Sequence, residues 1–367
     1  MSLAALARYR EPAERAACAI RRALFPTPAQ SLVSLGLLAA SAWALAALLD
    51  WAIVRAVFHG ADGSACRTPD AGACWPFIVH KMGLFLYGRY PEGEIWRVHL
   101  TGVLALAGLV PLMMPRVPHK LALSLYMLVL FPILATLLLY GGVPGLPKVG
   151  TERWGGLLLT LVIASVGIAA SFPLGVLLAL GRRSELPIVR WLSVGYIEIV
   201  RGVPLVTVLF MASVMLPLFL PPDVTIDKLV RALVGVALFS AAYVAEVIRG
   251  GLQAIPRGQY EAAEALGLGY WRKMGLIVLP QAIRIVIPGL VNSFISLFKD
   301  TSLVLIIGLF DLTGIIQQSI QADAKWFSPQ TAATGYFFAA VVFWAFCFAM
   351  SRYSARLEER LSAGDRR

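Results

Sequence analysis

The chain is poor in charge. Only 14% of its 367 residues are Asp, Glu, Lys or Arg, against about 25% in a soluble domain, and that scarcity excludes an ordinary soluble fold. Histidine is nearly absent: His59, His80, His99 and His119 all fall in loops or at the edges of apolar runs. None is therefore placed within a span for acid–base work. Neither H-E-x-x-H nor G-x-S-x-G occurs, which removes two common hydrolytic chemistries. No lysine follows a glycine anywhere, so the G-x-x-x-x-G-K-[ST] loop that cradles ATP phosphates is missing. Energy for any work must come from a partner. The first thirty residues carry Arg8, Arg10, Arg15, Arg21 and Arg22 and lack a compact apolar core with a small-residue cleavage site; no cleavable signal peptide is expected. Cysteine is scarce too. Cys18 and Cys347 stand alone, while Cys66 and Cys74 share one hydrophilic loop with seven residues between them. In an oxidising compartment these two can form a disulfide. A zinc site would need two further ligands, for which His59 and His80 are the only nearby candidates.

What the chain has is apolar length. It is 59% hydrophobic, with mean hydropathy +0.76. Eight apolar segments run over roughly 32–58, 98–114, 121–141, 154–181, 191–220, 228–249, 281–308 and 332–352. Most reach the ~20 residues that a helix needs to cross the hydrocarbon core. The expected fold class is all-α, a polytopic membrane protein of about eight helices. The net charge of +11 invites a nucleic-acid reading, but the basic residues sit in loops between apolar runs, with no aromatic-interleaved cluster for stacking bases. With the N-terminus inside, 19 of the 32 Lys and Arg fall on the cytoplasmic side, 10 outside, and Arg201, Arg284 and Lys299 within or beside the membrane. The positive-inside bias therefore places both termini and the loop 257–280 in the cytoplasm.

The chain divides near Gly150, after the Gly/Pro-rich connector GGVPGLPKVG at 141–150. Residues 1–31 read as a cytoplasmic segment, 32–149 as an extension of three spans with an outer loop at 59–97, 150–352 as a five-span core, and 353–367 as a cytoplasmic tail. The forty residues from Gln281 to Ile320 would make a straight helix of about 60 Å, twice the membrane core. Two crossings would put the Arg-rich C-terminus outside, so this stretch should cross once and break. The expected break is Lys299-Asp300-Thr301-Ser302, where a charged pair precedes two good N-cap residues.

Charge inside a span is costly and faces a cavity or a partner. Glu198 and Arg201 are three residues apart, so they share a helical face and can pair. Gly202 and Pro204 should loosen the helix just beyond them. A half-helix beginning at Lys299–Ser302 would aim its N-terminal dipole inward, where it favours a carboxylate. An amino acid presents a carboxylate and an ammonium at a short fixed separation. Arg201 can fork onto the first, helped by free N–H groups at Thr301 and Ser302, and Asp300 or Glu198 can accept the second. Glu198–Arg201 as a self-neutralising pair, or Lys299–Asp300 as a closure of the outer mouth, is the structural alternative. Glu246, Arg249 and Arg257 are read as solvated or partner-facing rim charges.

The stretch that organises the rest is Glu261–Pro280, EAAEALGLGYWRKMGLIVLP. A surface helix with a glycine C-cap accounts for its residue types, but not for its place between two apolar segments. Its fixed positions Glu261, Ala262, Ala263, Gly267, Ile277, Leu279 and Pro280 resemble the cytoplasmic EAA loop of bacterial ABC importer membrane subunits. YIEIVRGVP at 196–204 and FKDTSL at 298–303 narrow the resemblance to polar amino acid importers. With its three-span extension, the whole chain is similar to the longer permease subunit of the general L-amino acid transporter group. That resemblance implies a type I ABC importer permease core and a coupling helix that docks in a groove of the ATPase through Glu261, Ala262, Ala263, Gly267, Leu279 and Pro280. It also implies a second homologous permease subunit, an ABC ATPase homodimer, a periplasmic amino-acid-binding protein and a place in the bacterial inner membrane. L-amino acids such as Glu, Gln, Asp and Asn would move inward by alternating access. No cofactor is expected on this chain; ATP and Mg belong to the partner ATPase. The competing class is an ion-coupled secondary amino acid transporter, which would need no ATPase.

Overall fold

A computed structural model describes residues 24–114, 117–221 and 223–364. Most of the expected segment 1–31, Cys18, Arg116 and the last three residues of the expected tail lie outside the described residues. The helices are α1 Pro28–Val54, α2 Trp75–Tyr87, α3 Ile95–Met113, α4 Lys120–Tyr140, α5 Gly156–Arg182 and α6 Pro187–Gly202. They continue as α7 Leu205–Phe219, α8 Lys228–Ala254, α9 Arg257–Ala265, α10 Tyr270–Ile307, α11 Leu312–Ala322 and α12 Pro329–Gly364. Among the described residues seven helices are long and apolar enough to span a membrane, and the bent pair α6–α7, taken as one span, makes an eighth. The protein is an all-α polytopic membrane protein.

Three expectations about boundaries change. The segment 59–97, expected as an outer loop, holds α2. The seventh span starts at Tyr270 rather than 281, so Leu279 and Pro280 lie inside α10. The last helix runs on to Gly364, through most of the expected tail.

Proline shapes the spans in a repeated way. Apart from the one at Asp50–Val54, which no proline closely follows, the wide π turns among the described residues occupy Tyr126–Leu130, Met211–Met215 and Met274–Val278. Each is followed two residues later by a proline: Pro132, Pro217 and Pro280. Proline has no N–H to give and its ring presses on the carbonyl four residues back. The wide turn moves that carbonyl aside. At Pro217 the carbonyl so freed, on Ser213, is taken by the Arg231 guanidinium.

The chain forms two compact units. The first comprises residues up to Phe77 together with Lys325–Thr334. Cys66 and Cys74 are joined in it as a disulfide with Cα atoms 5.7 Å apart. Around it the Cys74 amide donates to Thr334 Oγ1 at 2.7 Å, Gly63 N–H to the Lys325 carbonyl at 3.0 Å, and Phe77 packs on Trp326. By contrast Pro28–Leu49 buries no residue.

The second unit holds Ile78–Ala324 and Gly335 onward. Its centre is α5 against α8, two helices that approach through small residues, as membrane helices do where close contact replaces the hydrophobic drive. A Cβ on Gly175 would meet Val244 Cγ1 at 2.5 Å, and one on Gly251 would meet the Ala282 carbonyl of α10 at 2.6 Å. Two buried clusters result. One, toward α11, gathers Leu159, Ile163, Leu209, Val236, Leu297 and Phe298. The other, toward α9, gathers Leu180, Ile197, Ala245, Ile248, Val278 and Leu290.

Candidate functional site

The loop between spans α8 and α10 folds as a short helix, α9, with Pro256 as its N-cap. It ends as its sequence requires. Gly267 takes φ +73°, its N–H bonds the Glu264 carbonyl at 2.8 Å, and the Leu268 N–H bonds Ala263 at 3.1 Å. This is a Schellman cap, in which a left-handed glycine satisfies the last free carbonyls. Ala263 is buried, while Glu261, Ala262, Leu266 and Gly267 face outward. Leu266 and Trp271 are 77% and 73% exposed. The helix is anchored from behind by Tyr260, whose hydroxyl donates to the Leu252 carbonyl at 3.1 Å, and by the Lys273–Glu264 ion pair.

The charges near this end form one cluster, and not the pair expected from spacing. Glu198 and Arg201 do not pair. Glu198 is bound by Arg182 of α5 at 2.9 Å, and Arg201 lies 3.8 Å from Glu246 of α8. Glu246 also takes Arg182 at 3.3 Å and Arg249 at 2.8 Å. A helix spacing of three permits a contact, but stronger partners arrive from neighbouring helices. Glu246 and Arg249, expected on the rim, are thus part of the same group as Arg201. The helix does stop where Gly202 and Pro204 suggested: α6 ends at Gly202 and α7 leaves at 105°.

The second candidate group differs from expectation as well. No new helix starts at Thr301. The α-turn tightens there into a 3₁₀ segment, Thr301–Ile307. The hydroxyls of Thr301 and Ser302 donate backward, to Phe298 and Lys299 carbonyls at 2.8 and 3.0 Å, instead of capping. The break comes at Gly308, with φ +75°, and the next helix, α11, is capped by Asp311. Asp311 is fully buried and accepts from Gly314 N–H at 2.9 Å and Thr313 N–H at 3.3 Å. Burial pushes its carboxyl up to about 6 despite those donors. An Asp followed by Leu-Thr-Gly was a readable capping signal that the run of hydroxyls at 301–302 obscured. Asp300 stays half-buried inside α10, with no ion pair and no side-chain hydrogen bond among the described residues. No hydrogen bond, ion pair or ring contact among the described residues joins Lys299–Ser302 to Glu198 or Arg201. Their neighbours in sequence pack in different clusters, Phe298 in the one toward α11 and Ile197 in the one toward α9.

This arrangement has parallels. Residues 171–363 match the family described as binding-protein-dependent transport system inner membrane component, and the chain belongs to that family. The inner membrane amino-acid ABC transporter permease protein YhdY of Escherichia coli (strain K12) is 52% identical over 350 residues, 95% of this chain and 94% of that protein. The glutamate/glutamine/aspartate/asparagine transport system permease protein BztC of Rhodobacter capsulatus is 39% identical over 413 aligned positions, covering 95% of this chain and 94% of its own. A solved amino acid ABC transporter crystallised with histidines is 30% identical over 56% of this chain and 92% of its own, with a TM-score of 0.48. The chain is therefore a multi-pass inner membrane permease component of a binding-protein-dependent transporter.

Proposed function

We propose that this chain is the translocation subunit of an ATP-driven importer that carries L-amino acids inward by alternating access. Its partners in this reading are a second homologous permease subunit, a homodimeric ABC ATPase and a periplasmic amino-acid-binding protein. The N- and C-termini face the cytoplasm, as the Lys/Arg distribution favours. The observation that carries the reading is α9: a short, capped helix between two spans, with an outward surface of Glu261, Ala262, Leu266 and Gly267. Such a helix is a rigid knob for a groove on a soluble partner. The ATPase binds ATP and Mg; this chain lacks the G-x-x-x-x-G-K-[ST] loop.

Closure of the ATPase dimer moves the coupling helices of the two permease subunits together. The motion passes into α5, α8 and α10, the spans against which α9 rests, and opens the cavity outward to a loaded binding protein. Hydrolysis and product release reverse the motion. Within this subunit the substrate-facing group is Lys299, Asp300, Thr301 and Ser302. Asp300 is a half-buried carboxylate with no ion pair among the described residues, the kind of group that marks a pathway inside a membrane. It accepts the substrate ammonium. The relative named for glutamate, glutamine, aspartate and asparagine transport, BztC, supplies the substrate class.

The test is co-purification. Detergent-solubilised wild-type protein should bring down the ATPase, and Gly267→Asp, which loads a charged Cβ onto the left-handed cap, should not. Equal recovery of the ATPase by both proteins would remove α9 as the docking element.

A further inference from the structure

Glu246 collects three guanidiniums from three helices: Arg182 of α5 at 3.3 Å, Arg201 of α6 at 3.8 Å and Arg249 of its own helix at 2.8 Å. The Arg201 guanidinium also lies over the Tyr243 ring, 5.7 Å from its centre. With Glu198 the group holds three positive and two negative charges, so it depends on Glu246 for its balance.

The helix tied down by this group is held by little else. α6 has 16 residues and buries only Ser193 and Ile197. At its far end the chain breaks between Gly202 and Leu205 and turns through 105°, so α6 can tilt without dragging α7 as a rigid rod. Beyond those two residues and the partly buried Tyr196 ring, which packs on the cluster toward α9, its ties to α5 and α8 are polar: Glu198 to Arg182, Arg201 to Glu246, and the Tyr196 hydroxyl to the Leu238 carbonyl at 2.7 Å. Ionic ties release and re-form without the packing rearrangement that an interdigitated core demands. The residue after Arg182 reaches the coupling helix. Arg183 donates to the Tyr260 hydroxyl of α9 at 2.8 Å and to the Leu252 carbonyl at 3.1 Å. Two consecutive arginines at the end of α5 thus hold α9 on one side and the cluster on the other.

We infer that this cluster is a latch that holds α6 against α5 and α8 until the coupling helix moves, and that Glu246 is its positioning residue. A displacement of α9 pulls Arg183, shifts Arg182 off Glu198 and Glu246, and frees α6 to tilt about Gly202–Pro204. Glu246 touches no substrate in this scheme; it sets the threshold for movement. The inference rests on the reading of the chain as an ATPase-coupled permease.

The test uses the full importer in proteoliposomes and compares ATP hydrolysis without and with the loaded binding protein. Glu246→Gln keeps shape and removes the charge, leaving three guanidiniums without their central partner. Hydrolysis in the absence of binding protein should rise about fivefold, the low end of coupling between linked sites, and stimulation by the loaded binding protein should shrink in proportion. Glu246→Asp, which restores the charge, should bring stimulation back. Glu198→Gln changes a side chain that is 57% exposed and should shift the ratio in the same direction by less. A stimulation ratio unchanged in both Gln variants, per assembled complex, overturns the latch. So does a loss confined to the amount of complex, since a structural prop lowers abundance and leaves the ratio alone. Failure of the wild-type chain to assemble with an ATPase would strike the underlying reading instead, and is seen in the same preparation.

Discussion

The Arg183 guanidinium donates to the Tyr260 hydroxyl at 2.8 Å and its centre lies 5.4 Å from the middle of the same ring. One side chain at the end of a membrane span therefore grips α9 twice, by hydrogen bond and by cation–π contact. Tyr260→Phe keeps the ring and loses the hydroxyl's bonds to Arg183 and to the Leu252 carbonyl, worth about 1 kcal/mol each, and should leave uptake measurable but reduced. Tyr260→Ala removes both and should uncouple hydrolysis from uptake. Equal uptake by the two variants would show that the ring contact contributes nothing.

Gly267 has φ +73°, where a side chain costs about 1–2 kcal/mol. Gly267→Ala should weaken the α9 cap by that amount and lower uptake partially, while Gly267→Asp abolishes it. Both proteins should reach the membrane in normal amount, as judged by immunoblot of membrane fractions.

Much of this was legible from residue pattern alone. The apolar spans, the positive φ at Gly267 and the kink after Arg201 follow from local chemistry: apolar length, glycine and proline. The partners of Glu198 and Arg201 do not. Both are set by helices whose adjacency no spacing within one segment reveals, and the local i,i+3 option lost to Arg182 and Glu246. The break after α10 was misplaced because Thr301 and Ser302 are good caps in isolation. In the fold their hydroxyls serve carbonyls of the preceding turn, and Asp311 does the capping ten residues on. The helix inside the outer loop, Trp75–Tyr87, is too short at 13 residues to have stood out as a span.

Asp311 offers a pH test outside the spans. Its folded-state carboxyl is raised to about 6 by burial, above the ~3.9 of an unfolded chain. The folded state therefore binds the proton more tightly, and stability falls as pH rises between about 4 and 6, with a cost of about 3 kcal/mol above that window. Asp311→Asn caps a helix nearly as well and does not ionise. It should raise the thermal midpoint at pH 7 and flatten the pH dependence of unfolding. A lower midpoint for Asp311→Asn at pH 7 would contradict the assignment.

The disulfide closes a loop with a sequence separation of 8, for which chain entropy gives about 2–3 kcal/mol. Mass spectrometry of non-reduced peptides should show Cys66 and Cys74 linked, and reduction should raise proteolysis at residues 57–76 while the Ile78–Ala324 unit survives. Labelling of both thiols in unreduced membranes would rule the bridge out.

Asp300→Asn should weaken or abolish uptake per assembled complex, with ATPase recovery unchanged. If Asp300 only supports the passage from α-helix to 3₁₀ turn, the substitution lowers abundance and leaves the normalised rate intact.

The measurement that bears most directly on the central claim is amino acid uptake into proteoliposomes holding the purified permease pair, its ATPase and the binding protein. The account predicts uptake of labelled L-glutamate or L-glutamine only when ATP and Mg are present on the ATPase side and the binding protein is on the other, and no uptake with Gly267→Asp. Accumulation driven by a proton or sodium gradient in vesicles lacking the ATPase would contradict it and make the chain an ion-coupled transporter.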